Sequence, residues 1–276
     1  MGGLFIISVI VISIYNHGGL DFLWKDEFLD GDFWKTATVA DVESALKERN
    51  DINARLQDNV HEHGLTLLHR AALHTEFPAV VDMLLDKGAD IEANSLFLWT
   101  PLFYGVLGKN PAVVELLLSH GADATVRDTS GQTPLHFAIA FNETPEVVDL
   151  LLDHGADINA QDNAGKTPLH EAVFWSGIWN STEVLKLLLE HGVDTNVRDD
   201  EGNIPLNSIL ILNPEIARLL LAHGADVNSR NEDGSTALHQ AIVPEVVRVL
   251  LDYGADPTIR DETGRTANDY LSKDDS

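Results

Sequence analysis

The chain has 276 residues, 44% of them apolar, enough for a sizeable core, and carries 18 Lys and Arg against 44 Asp and Glu. A formal net charge of −26 argues against a nucleic-acid backbone or an anionic lipid surface as partner. The absence of cysteine excludes disulfides, thiol catalysis and Cys-based zinc sites.

Leu4 to Tyr15 is an apolar run broken only by Ser8 and Ser13. A membrane-spanning helix needs about 20 such residues, and this shorter run fits a signal-peptide core better. No Lys or Arg precedes Lys25, so flanking charge assigns no orientation. Residues 1–18 are therefore expected to export or anchor the protein, with no other membrane contact. The alternative is a cytoplasmic protein in which they pack on the fold that follows. Residues 19–31 are acidic but carry Phe22, Leu23, Trp24, Phe28 and Leu29, too apolar for a free linker, and predict a short amphipathic helix. Residues 32–63 read as a capping unit whose second helix starts after Thr38. Its arm from Arg55 to Gly64 is long and includes His61-Glu62-His63.

From Gly64 onward one pattern recurs, and residues 131–165 show it whole. Thr133 offers an N-cap oxygen, and Pro134 takes the first helical position, where no amide donor is needed. The first helix carries Leu135, Ala138 and Ile139 and ends near Phe141. Thr144-Pro145 starts a second helix over 146–154, with an apolar stripe from Val147 to Leu152. Gly155 is the stop, and an extended arm and turn run to Gly165. Two helices this short cannot bury the stripe alone, so they must stack on copies of themselves.

The copies are present. Gly-Ala-Asp or a variant begins at Gly88, Gly121, Gly155, Gly192, Gly224 and Gly254. The Thr-Pro-Leu-His position begins at Thr66, Thr100, Thr133, Thr167, Ile204, Thr236 and Thr266, with spacings of 30 to 37 residues. This resembles the ankyrin repeat over residues 32–272. The predicted fold is an all-α ankyrin-repeat solenoid of helix-turn-helix units with β-turn arms. It comprises the capping repeat at 32–63, six repeats over 64–263, and a C-terminal cap and tail at 264–276. The resemblance implies a scaffold that binds a protein on its concave face. It also implies that His69, His136, His170 and His239 bridge the first helix to the turn.

Departures from the pattern give the chain its individuality. The fourth repeat has three extra residues within 174–182, the fifth reads Ile204-Pro-Leu-Asn207, and the sixth is short. His120, His154, His191 and His223 precede the stop glycine, where a partly positive ring suits a helix C-terminus. His61 and His63 lack a third ligand beyond Glu62, so no metal site is expected. Asp123, Asp157, Asp194, Asp226 and Asp256 recur once per repeat and read as arm-amide acceptors. With no phosphate loop, Gly-x-Ser-x-Gly or His-Glu-x-x-His, neither catalytic residues nor a cofactor are expected.

Most arm tips are polar, but the second repeat has Leu96-Phe97-Leu98-Trp99 and no turn glycine. Leu107, Phe141, Phe174 and Trp175 stand at the ends of first helices. Leu96, Phe97, Trp99, Leu107, Phe141, Phe174 and Trp175 are the candidate protein-binding residues. Residues 19–31 or 55–64 folding over them is the alternative. Acidic tips at 199–201, 232–233 and 261–262 favour a partner with a basic stretch. The protein is expected to be a monomer. A second functional reading is an exported structural or stress-protective protein without a dedicated partner.

Overall fold

A computed structural model describes residues 31–47, 51–55, 64–141, 144–179, 182–207 and 213–271. The expectations for residues 1–18 and 19–30, and for His61 and His63, lie outside these. Among the described residues every regular element is helical, and the chain divides into two compact units, Met1–Asp123 and Ala124–Ser276.

The first unit contains α1 (Gly31–Thr36), α2 (Val39–Leu46), α3 (Leu67–His74), α4 (Pro78–Asp86), α5 (Pro101–Leu107) and α6 (Pro111–Ser119). First helices stack in one layer, α1 on α3 and α3 on α5, while second helices stack in another, α2 on α4 and α4 on α6. The core lies between the layers. Val80, Val81 and Leu84 of α4, and Val113, Val114 and Leu117 of α6, are fully buried. At about 1.5–3 kcal/mol per fully buried aliphatic side chain, this shared surface is what holds helices of eight or nine residues in place.

The second unit repeats the plan with α7 (Pro134–Phe141), α8 (Pro145–Asp153), α9 (Pro168–Trp179), α10 (Glu183–Glu190), α11 (Pro214–Ala222), α12 (Ala237–Gln240), α13 (Pro244–Asp252) and α14 (Ala267–Leu271). Here α7 packs on α9 in the first-helix layer, and α8 on α10 in the second. The extra residues of the fourth repeat are absorbed as an added turn: α9 has 12 residues where α7 has 8. In the fifth repeat the first helix is described only as a single 3-10 turn, Pro205–Asn207. Without the Thr-His pair, that helix start lacks the lock found in its neighbours.

That lock involves the capping threonine and the histidine three residues on. The Thr133 hydroxyl donates to His136 Nδ1 (2.9 Å), which also accepts the Thr133 N–H (3.2 Å). With Nδ1 an acceptor, Nε2 must carry the proton, and it donates to Lys166 O of the following arm (3.2 Å). Thr66–His69, Thr167–His170 and Thr236–His239 do the same, reaching Trp99 O, Asn203 O and Arg265 O. The histidines therefore bridge first helix to arm, as the resemblance implied.

The arms of the second unit are zipped in two ways. Backbone bonds join successive turns: Asn163 N to Ser130 O, Asp200 N to Ala164 O, Glu232 N to Glu201 O and Glu262 N to Asp233 O. A long side chain at the start of each turn but the last clamps two carbonyls, its own turn glycine's and one on the next arm. Arg198 Nη1 donates to Gly202 O and Arg230 O, each at 2.6 Å, and Arg127, Gln161 and Arg230 act likewise. The recurring aspartates Asp157, Asp194, Asp226 and Asp256 accept the amide two residues on.

Candidate functional site

The second arm, in the first unit, breaks this plan at three places. Elsewhere the turn is opened by Arg or Gln, built on Asp or Asn, and closed by a left-handed glycine. Arm two has Asn94, Ser95 and Leu98. Ser95 still closes the turn, since Trp99 N donates to Ser95 Oγ (3.3 Å), and Ser95 N to Trp99 O (3.0 Å). Leu98, however, takes φ +63°, where the other turns use glycine at +66° to +78°. A bulky residue in this region costs about 1–2 kcal/mol.

The turn holds its apolar side chains outward. Leu96, Phe97 and Leu98 are 61%, 43% and 47% exposed. Trp99 is half-buried and roots the tip, stacking on Phe103 (6.2 Å between centroids) and edge-on to Tyr104 (5.7 Å), with Phe97 at 5.6 Å. His69 Nε2 holds the Trp99 carbonyl at 3.1 Å. A rigid aromatic base thus carries three exposed apolar side chains, a form suited to entering a partner's pocket. Leu107, on α5 of the same unit, is buried and offers no such surface.

Phe141, Phe174 and Trp175 belong to the second unit and meet there. Trp175 lies 6.2 Å from Phe141 and 5.1 Å from Phe174, and Phe137 contacts Phe141 at 5.4 Å. Phe141 and Phe174 are half-buried, but Trp175 is 5% exposed. Of the seven candidate residues, then, Leu96, Phe97 and Trp99 form one group, Phe141, Phe174 and Trp175 another, and Leu107 and Trp175 are buried.

Glu171 was not singled out from the sequence. It lies one helical turn before Trp175, whose indole N–H donates to its Oε2 (3.0 Å). Burial pushes its carboxyl above the ordinary range, opposed by the charge of Lys166 and by the indole bond. The only cue in the sequence was the (i, i+4) spacing of an acid and a tryptophan on an otherwise apolar helix. Burial also lowers the bridging histidines, His69 to about 4 and His136 and His170 in the same direction, so these rings are neutral, structural groups rather than acid–base catalysts.

One further cluster joins Asp82, Asp86 and His120, all exposed, with His120 Nε2 3.3 Å from Asp82 Oδ1. His120 Nδ1 donates to Leu116 O (3.0 Å), as His154 and His223 do to the carbonyls four residues before them. The cluster is thus a helix C-cap with an added contact to Asp82. His191 departs from this habit and donates through Nε2 to Asp149 (3.0 Å).

Stacked helix pairs with histidine bridges and zipped arms define a helical-repeat scaffold. The family model for ankyrin repeats matches in three copies, at residues 38–128, 102–199 and 178–261, and the chain belongs to the ankyrin-repeat family. Among solved structures it is similar to the ankyrin repeat domain of Bcl-3, described as a unique member of the IkappaB protein family. The identity is 33% over 74% of this chain and 93% of that one, with a TM-score of 0.65. No curated protein sequence matches the chain. Ankyrin repeats generally mediate protein–protein interaction.

Proposed function

We propose that the chain is a non-enzymatic interaction scaffold that grips a protein partner through the arm tip Leu96–Trp99. The aromatic side of α7 and α9 serves as a further contact surface, on the first-helix face that ankyrin scaffolds present as concave. The observation that carries this reading is the exposure of Leu96, Phe97 and Leu98 on the one arm that gives up its turn glycine. Strain and exposed apolar surface both oppose folding, and their coincidence is accounted for by a partner that buries them.

The test is capture from a native extract with the wild-type chain and with Leu96→Ser/Phe97→Ser. Both residues are exposed, so the variant should melt at the wild-type temperature while losing a stoichiometric protein partner. An unchanged captured set rejects the site. The apolar run Leu4–Tyr15 supports an exported or anchored location for the scaffold. Fractionation and the mass of the natively expressed protein test that, since an uncleaved chain in the cytoplasmic fraction would refute it.

A further inference from the structure

In the second unit, burial raises the cost of ionising Glu171, and the unit itself offers the carboxyl little compensation. Among the described residues its carboxylate has one hydrogen-bond partner, the Trp175 indole N–H at 3.0 Å, and no cation within ion-pairing distance. Lys166 acts on it only as a charge farther off, and Asp162 opposes that influence. Glu171 is half-buried, at the side of α9 where the half-buried rings of Phe141 and Phe174 flank Trp175. A desolvated carboxylate without a cation destabilises the fold that holds it. Here the indole bond fixes the direction in which the carboxylate points, and the neighbouring π-faces favour a positive charge laid against them.

We propose that Glu171, oriented by Trp175, is a specificity subsite for an arginine side chain of the partner protein, flanked in that partner by apolar residues. A guanidinium fits for three reasons. It forms a two-pronged bond with a carboxylate, it lies flat on aromatic rings, and it sheds water more readily than an ammonium. The net charge of −26 on the whole chain draws such a partner in and adds to its encounter rate. The subsite deepens the docking reading and rests on it. It differs in kind from the tip at Leu96–Leu98, which offers apolar area and no charge. Binding of the guanidinium returns the Glu171 carboxyl toward its ordinary pKa, so the arginine contact strengthens as pH rises through the Glu171 titration and then levels off.

The experiment uses the full chain and two peptides, acetyl-Leu-Arg-Leu-amide and its citrulline counterpart, which keeps the shape and removes the charge. Binding is read by isothermal titration calorimetry, and the Trp175 indole NMR signal locates it in the proteins that keep the tryptophan. The arginine peptide should bind at least about tenfold more tightly, a difference of about 1.4 kcal/mol. Glu171→Gln, which keeps the acceptor for Trp175, should abolish that preference while leaving residual affinity for both peptides. Trp175→Phe keeps an aromatic ring but frees the carboxylate, and should reduce the preference at temperatures below its own, lower, melting point. Equal affinity for the two peptides, a preference that survives Glu171→Gln, or no response to either peptide overturns the subsite. Capture through Leu96 and Phe97 is measured separately, so the docking reading can stand when this inference falls. A lysine peptide that outcompetes the arginine one would also overturn the assignment to a guanidinium.

Discussion

His69 and Trp99 are joined by a 3.1 Å bond from the imidazole Nε2 to the tryptophan carbonyl, so the base of the exposed apolar tip hangs from a buried ring of the preceding repeat. The bridge as a whole requires a neutral His69, because Nδ1 accepts the Thr66 amide and hydroxyl and loses that role on protonation.

This gives stability a pH dependence. Burial holds His69 at about 4, whereas the unfolded chain takes up a proton near 6.5. Its contribution is therefore complete above about 6.5 and is lost as pH falls toward 4, by roughly 3 kcal/mol in all. His136 and His170 are shifted the same way. Asn207 stands at the equivalent place in the fifth repeat and reaches the next arm at a different carbonyl, Ser229 O, through Nδ2 (3.1 Å), so asparagine can hold an arm without titrating. His69→Asn should flatten the loss of stability between pH 6.5 and 4.5, measured by urea denaturation against wild type. Parallel curves for the two proteins would show that His69 does not titrate as described.

Leu98 should be replaceable with gain. Glycine at φ +63° relieves about 1–2 kcal/mol of left-handed strain and returns part of it as unfolded-chain entropy. Leu98→Gly is expected to raise stability by about 0.5–1 kcal/mol, read as a higher midpoint in thermal melts, and to weaken partner capture. A stabilised variant that binds as before would separate the strain from the function.

Arg198 tests the arm ladder. It donates to Gly202 O, Arg230 O and Ser229 Oγ, tying one arm to the next. Arg198→Ala should cost about 2 kcal/mol, and Arg198→Lys should recover only part of that, since one ammonium on a flexible stem cannot reproduce the fork. Hydrogen exchange should localise the loosening to the amides around 199–203 and 229–234.

Gly108 reports how closely α5 approaches α3. A Cβ there would lie 2.5 Å from Leu73 O and 2.8 Å from Ala72 O, both backbone atoms. Gly108→Ala should destabilise the first unit by about 2 kcal/mol, although the φ of −67° suits alanine locally. A near-neutral melt would mean that the two helices part at little cost.

Much of this was written in the sequence. The Thr-Pro start signals, the Gly stops and the apolar stripes are local features repeated many times, and short helices with such stripes have no stable state except stacked. Tertiary structure decided what those signals left open. The threonine hydroxyl donates to a histidine ring, and that ring also spans to the next arm. Three extra residues after Phe174 lengthen a helix instead of bulging from it. Leu107 and Trp175 turn inward while Leu96 and Phe97 stay out, a matter of which neighbour covers each side chain and not of residue type. Glu171 gains its character only from the indole and rings packed around it. Periodicity specifies the fold because every copy states the same instruction, whereas the site depends on contacts made once.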